Sequence, residues 1–327
     1  MYNKKTKNNF SIKEESIISS SIGKLKHFID NHAKKLQILS LAGGEPAMFP
    51  NIIKKFYENF DNKLIRICTN GIMIDKIGLD NYSPKRLYFA ISLDGINLED
   101  NIFRFKSQSI LDKIFSNIDV ILKKGFSLEL LTVLNPNNIL KYIDLLKYFE
   151  LKYKTYIESG QLRFVPFELV NYMNLDKFKI TKEISDKFSA NISSNTDKLI
   201  VLQTYKEYFD KLSSFYLGNN VSSCNMYKRG VYFKYLGDSI WTSGSFSVYG
   251  CGSRGHLMMG TMDFRDKFDE SFILERRKTK SVDKYFKESD RACKRCFDNW
   301  HFYGLFLENK LSNIPYILKK TVDLYKS

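Results

Sequence analysis

The chain has 327 residues, 43% of them hydrophobic, enough to fill one large core or two of ordinary size, which excludes a disordered or fibrous protein. Residues 1–10 are polar and basic, and the richest apolar runs, such as Leu128 to Leu134, fall far short of the about 20 residues that a membrane span needs; no signal peptide or membrane partner is expected, and the chain reads as cytoplasmic. The formal net charge of +15 raises nucleic acid as a partner, but only 11 of the 51 basic residues are arginine and the lysines are spread along the whole chain, which fits a solvated basic surface better than a polyanion site.

In chain order, a helical stretch from about Ile12 to Lys35 leads into an apolar strand, Leu36 to Ala42, a glycine turn and a helix from Asn51 to Phe60. Strands are predicted at Leu64 to Thr69, Arg86 to Leu93, Ser127 to Val133 and Leu162 to Pro166, with helices at Ile110 to Lys124 and Ile139 to Phe149. Strands that alternate with helices and are nearly continuously apolar imply parallel βαβ units with both sheet faces covered, hence an α/β barrel or a doubly wound sheet. Residues 171–216 read as a polar helical connector. From Leu217 the pattern changes to short aromatic-rich strands punctuated by glycines, a second unit running to residue 327.

The turn Leu41-Ala42-Gly43-Gly44-Glu45-Pro46 stands where a strand ends and a helix begins. Two glycines let backbone groups approach a ligand, and Glu45 offers an acceptor for a cationic group at the C-terminal mouth of the sheet, where α/β proteins place ligands. A plain strand-to-helix turn explains it equally well. Each later strand also ends in polar residues: Thr69-Asn70-Gly71, then Ser92-Leu93-Asp94-Gly95, then Thr132-Val133-Leu134-Asn135-Pro136-Asn137-Asn138.

This ordered set resembles the radical SAM superfamily over roughly Phe10 to Glu168. The resemblance implies a partial (β/α)6 barrel at residues 1–170 that binds S-adenosylmethionine (SAM), with Gly43, Gly44 and Glu45 on the SAM amino group and Ser92 and Arg104 on its carboxylate. A guanidinium fork suits that last task. Asp94 is a further candidate for the cofactor site, with a turn-forming role as its alternative. Val165 and Pro166 are candidates to line the adenine. Cys68, inside an apolar strand, reads as a buried core residue.

Cys224, Cys251, Cys293 and Cys296 make four soft ligands, the last two spaced so that both thiolates reach one centre; a structural zinc, a cubane or unligated buried thiols all satisfy the pattern. Behind a barrel of this kind the arrangement resembles the Twitch module, the shorter relative of the SPASM domain, which implies one auxiliary [4Fe-4S] cluster in residues 217–327. Thr242 stands where a longer SPASM pattern places a further cysteine. His256 and His301 are expected to be satisfied by local hydrogen bonds.

The family's Cys-x3-Cys-x2-Cys loop, which binds the catalytic [4Fe-4S] cluster, is not in these 327 residues: no cysteine precedes Cys68. In family order this loop follows the first barrel strand and precedes the helix near Ile12, so loop and first strand are expected in an N-terminally extended form. The resemblance implies that the intact protein generates a 5′-deoxyadenosyl radical for hydrogen abstraction from a small-molecule or peptide substrate. The auxiliary cluster would accept the electron, and a flavodoxin or ferredoxin would serve as low-potential donor. The alternative is a catalytically inactive SAM-barrel relative with one structural cluster. No catalytic side chain is legible.

Overall fold

A computed structural model describes residues 22–23, 25–27, 29–30, 38–42, 44–168, 181–204, 232–235, 245–249 and 258–263. Two compact units emerge. The first comprises Met1–Leu36, Asn51–Asn62 and Ser223–Lys294. Its described parts are helical residues within 22–30 with Ile22 and Ile29 buried, most of helix α1 (Pro50–Asn59), and an antiparallel sheet of strands at Tyr232–Tyr235, Ser245–Tyr249 and Met258–Asp263. Near the end of α1, Phe56 stacks on the buried Phe60 at 5.6 Å between ring centroids.

The second unit, Gln37–Pro50, Lys63–Ser222 and Arg295–Ser327, is built on five parallel strands: β1 (Ile38–Leu41), β2 (Leu64–Thr69), β3 (Leu87–Ser92), β4 (Leu128–Leu134) and β5 (Leu162–Glu168). They lie side by side in sequence order, so every strand ends at the same edge. Because side chains alternate across a strand, the register sorts them into rows on two faces. On one face Ile67, Phe89 and Leu128 align, as do Ile91, Leu130 and Phe164, all buried.

Helices α2 (Gln108–Lys123) and α3 (Tyr142–Glu158) serve that apolar face. Leu111, Ile114, Ile118 and Ile121 recur at the spacing of one helical stripe and are all inaccessible to solvent. Each such side chain contributes about 1.5–3 kcal/mol by leaving water. Phe149 of α3 meets Phe164 of β5 edge-on at 5.7 Å, and Tyr153 donates from its hydroxyl to Asp119 of α2 at 2.7 Å, tying the two helices together. Burial raises the Tyr153 phenol far above its ordinary value, with the Asp119 hydrogen bond adding to the effect. Helix α4 (Lys182–Asn195), capped by the Thr181 hydroxyl that accepts from the Ile184 amide, packs Phe188 against Tyr142; α5 (Ile200–Thr204) is held where the Val201 amide donates to Glu150.

The parallel α/β sheet agrees with the sequence pattern, with two corrections. The strands are not apolar on both faces: the face opposite α2 and α3 carries Ser40, Arg66, Cys68, Glu129 and Arg163. The helix predicted at Ile139 to Phe149 starts as a 3-10 turn, Ile139–Lys141, and continues to Glu158, where Gly160 at φ 70 turns the chain into β5.

Candidate functional site at the carboxyl edge of the sheet

Past the end of β1, Gly44 adopts φ 55, and nothing lies within 4 Å of where a Cβ would stand. Glu45 then caps the 3-10 turn Pro46–Met48: its Oε1 accepts from the Ala47 amide at 3.0 Å. The same carboxylate crosses to the end of β2, where Oε1 accepts from the Thr69 hydroxyl at 2.5 Å and Oε2 from the Asn70 amide at 2.8 Å. Thr69-Asn70-Gly71 is shaped for that contact. The Thr69 hydroxyl also accepts from the Gly71 amide, and the Asn70 side chain closes an Asx turn onto the Ile72 amide at 2.9 Å. Gly71 has φ 79, and a Cβ there would press on Ile91 at 3.0 Å and Ile114 at 3.4 Å, so glycine is required twice over. Asn117 of α2 holds the turn from outside through the Gly71 carbonyl at 2.7 Å.

Beyond β3 the chain loops back on itself. Asp94, buried, receives the Arg104 guanidinium bidentately, Nε on Oδ2 at 2.6 Å and Nη2 on Oδ1 at 2.7 Å, and also accepts from the Val133 amide at 2.8 Å. Three donors on two oxygens are satisfied by the ionised carboxylate. Burial works against that charge and raises the Asp94 pKa, while Arg104 and the Val133 amide pull it back. Fully buried Asn101 accepts from the Asp94 amide and donates to the carbonyls of Gly95 and Asn97, each at 2.8–2.9 Å. From the end of β4, Asn138 donates to the carbonyls of Asp94 and Val133, and the Thr132 hydroxyl to that of Leu93.

Asp94 is therefore a buried hub that orients Arg104 and joins two strand-end loops, beyond the turn former that its sequence position allows. Arg104 gives Nε and Nη2 to Asp94, and Nη1 has no hydrogen bond among the described residues. Ser92, half-buried, ends β3 in one row with Leu131 and Val165 on the polar face of the sheet, whereas Pro166 is buried on the other. Glu45 follows β1, Ser92 ends β3, and Asp94 and Arg104 follow β3, so all four belong to the carboxyl edge. Gly43, Cys224, Cys251, Cys293, Cys296, Thr242, His256 and His301 lie outside the described residues.

Sequence patterning missed a charged group on the polar face. Glu129, 2% exposed, takes Arg66 on Oε2 through Nε at 2.8 Å and Nη2 at 2.6 Å, and Arg163, 1% exposed, on Oε1 at 3.1 Å. Arg66 Nη1 donates to Cys68 Sγ at 3.1 Å and to the Ser40 hydroxyl at 3.4 Å. Cys68 is thus half-buried on a polar face, a correction to its expected place in the core.

No family model matches the chain. It is 26% identical over 219 residues to a cysteine-type anaerobic sulfatase-maturating enzyme of Clostridium novyi (strain NT), covering 60% of this chain and 55% of that one. It is 28% identical over 178 residues to a GTP 3′,8-cyclase of Campylobacter lari, covering 50% and 51%. The chain thus spans about half the length of the curated relatives it matches. Among solved structures, anSMEcpe with bound AdoMet superposes with a TM-score of 0.55 at 17% identity over 95% of this chain and 89% of that one. The same protein with AdoMet and the Cp18Cys peptide gives 0.53 at 18% identity over 95% and 88%. At these identities the likeness establishes the fold: the chain has the α/β architecture of AdoMet-bound anSMEcpe.

Proposed function

We propose that the chain is the SAM-binding part of a radical SAM enzyme acting on a small-molecule or peptide substrate. One observation carries this reading: the Gly44-Glu45 turn, Thr69-Asn70-Gly71, Ser92 to Gly95 and Val133 to Asn138 stand in the family's order at the carboxyl ends of β1, β2, β3 and β4. The likeness to a sulfatase-maturating enzyme and to AdoMet-bound anSMEcpe supports it.

The residues present fit the cofactor. Gly44 leaves open space beside its backbone. Of the about four acceptor positions of a carboxylate, Glu45 fills three among the described residues, and the fourth would take a cationic amino group. Ser92 and Arg104 Nη1 would take the carboxylate of SAM, with Asp94 as the positioning residue that fixes the guanidinium. Val165, in the row of Ser92, would line the adenine. Cys224, Cys251, Cys293 and Cys296 would hold an auxiliary [4Fe-4S] cluster in residues 217–327, joined through the connector 171–216 to a partial barrel in residues 1–170. With SAM bound, a low-potential [4Fe-4S] cluster on the three-cysteine loop expected in an N-terminally extended form would supply one-electron chemistry for hydrogen abstraction. The chain's own contribution is to seat SAM at the sheet edge.

Equilibrium dialysis against radiolabelled SAM tests the reading. Glu45→Gln keeps the side-chain volume but removes the charge, and SAM affinity should fall about tenfold or more, the worth of a hydrogen bond to a charged group. A wild-type chain that does not bind SAM at millimolar concentration would remove the proposal.

A further inference from the structure

Glu45 is gripped by three donors, and all three are neutral: the Ala47 amide, the Asn70 amide and the Thr69 hydroxyl. Among the described residues no cation pairs with it, so its charge is fixed in direction without being cancelled. The two amides belong to the backbone. The hydroxyl is the one grip that a side chain supplies, and its direction is set from the far side. A hydroxyl has a single proton, and because the Gly71 amide donates to the Thr69 oxygen at 3.1 Å, that proton is left for Glu45 Oε1 at 2.5 Å. Gly71 is itself held by Asn117 of α2 through its carbonyl at 2.7 Å, and Thr69 is only 3% exposed, so water does not compete for the hydroxyl. A line of hydrogen bonds thus runs from the helix layer through Gly71 and Thr69 to one oxygen of Glu45.

We propose that Thr69 is the positioning residue that makes Glu45 selective for an ammonium group, so that the site distinguishes SAM from analogues lacking the amino group. This rests on the proposal that Glu45 receives the amino group of SAM. With three acceptor positions filled among the described residues, the fourth has a set direction. A ligand that places an N–H there gains a charge-assisted hydrogen bond, which a ligand without one forfeits. A carboxylate released by Thr69 would turn toward water and lose that discrimination.

Two measurements test this, the first without SAM. In each background, subtracting the infrared spectrum of the Glu45→Gln chain from that of the chain with Glu45 isolates the Glu45 carboxylate stretches. Thr69→Ser, which keeps the hydroxyl, should leave them in place, and Thr69→Val, of similar volume but without the donor, should shift them. Thr69→Cys, whose thiol is a weaker donor and acceptor, should give an intermediate shift and decides the matter where Thr69→Val does not fold. The second measurement is equilibrium dialysis of SAM and of its deamino analogue, which has hydrogen in place of the amino group. The wild-type chain should prefer SAM at least about tenfold, the worth of a hydrogen bond to a charged group. Thr69→Val should cut that preference by loss of SAM affinity alone, and Thr69→Ser should restore it.

Carboxylate bands that stay in place in Thr69→Val and Thr69→Cys would overturn the positioning role whether or not SAM binds. An equal loss of both ligands in Thr69→Val would show a merely structural role and overturn the proposal, as would a wild-type chain that holds both ligands equally. A wild-type chain that binds neither ligand would remove the proposed function, and the ammonium assignment with it.

Discussion

Gly95→Ala is a demanding test of the loop beyond β3. An added Cβ would stand 2.6 Å from Asp100 Cγ and 2.5 Å from Oδ2, and would collide with Asp100 Cβ, which no rotamer can move away. Relaxation is blocked on both sides. The Gly95 carbonyl and the Asp94 amide are both fixed to fully buried Asn101, and buried Asp100 is held by Lys141 at 2.8 Å. Overpacking costs about 1–3 kcal/mol, and the shift should break one of these bonds at about 0.5–1.5 kcal/mol more. The total is roughly 2–4 kcal/mol, a Tm lowered by roughly 5–15 °C in a domain of this size. Gly125→Ala is the control: φ is 82 and the nearest atoms belong to Pro84 at 3.8–3.9 Å, so left-handed strain of about 1–2 kcal/mol is its whole cost. Urea and thermal unfolding of both variants measure the difference. If Gly95→Ala is no less stable than Gly125→Ala, the account of a loop locked around Asn101 is wrong.

Asp94→Asn preserves shape but removes the charge that three donors share, and should cost about 2–3 kcal/mol; in a double-mutant cycle with Arg104→Gln the coupling should exceed about 1 kcal/mol, and additive effects would show that the pair is idle. Folding also holds two phenols neutral. Burial raises Tyr142 well above its ordinary value, and burial with the Asp119 hydrogen bond raises Tyr153. Because these folded values lie above those of the unfolded chain, their contribution is complete below about pH 10 and is lost as pH rises beyond it. Tyr142→Phe should flatten the alkaline fall in unfolding free energy, and an unchanged slope would refute the linkage.

The strand-end motifs were legible because each interrupts an apolar run with polar residues at a strand terminus, and their common edge follows once the strands are parallel. What they hold was not. The Asp94–Arg104 pair depends on a loop folding back over ten residues, and nothing in the spacing distinguishes an arginine that meets a ligand from one that meets an aspartate. The polar face was harder still: Arg66 and Glu129 are 63 positions apart, Glu129 and Arg163 34 apart, and each has apolar residues on both sides in its strand. Register brings them together, and register is a tertiary property. The same blindness sent Cys68 to the core, since its neighbours Ile67 and Thr69 are buried while its own side chain lies on the opposite face.

The hydrogen-bonded lattice that joins the loops after β3 and β4 has a thermodynamic consequence for any ligand at this edge. Asn101, Asn138, Thr132 and Asp94 fix the backbone of both loops with side chains from within the unit, so the loss of conformational freedom is met during folding rather than at the moment of binding. An incoming molecule meets a receptor already in a single shape, and its affinity is not divided by the small fraction of chains that happen to be competent.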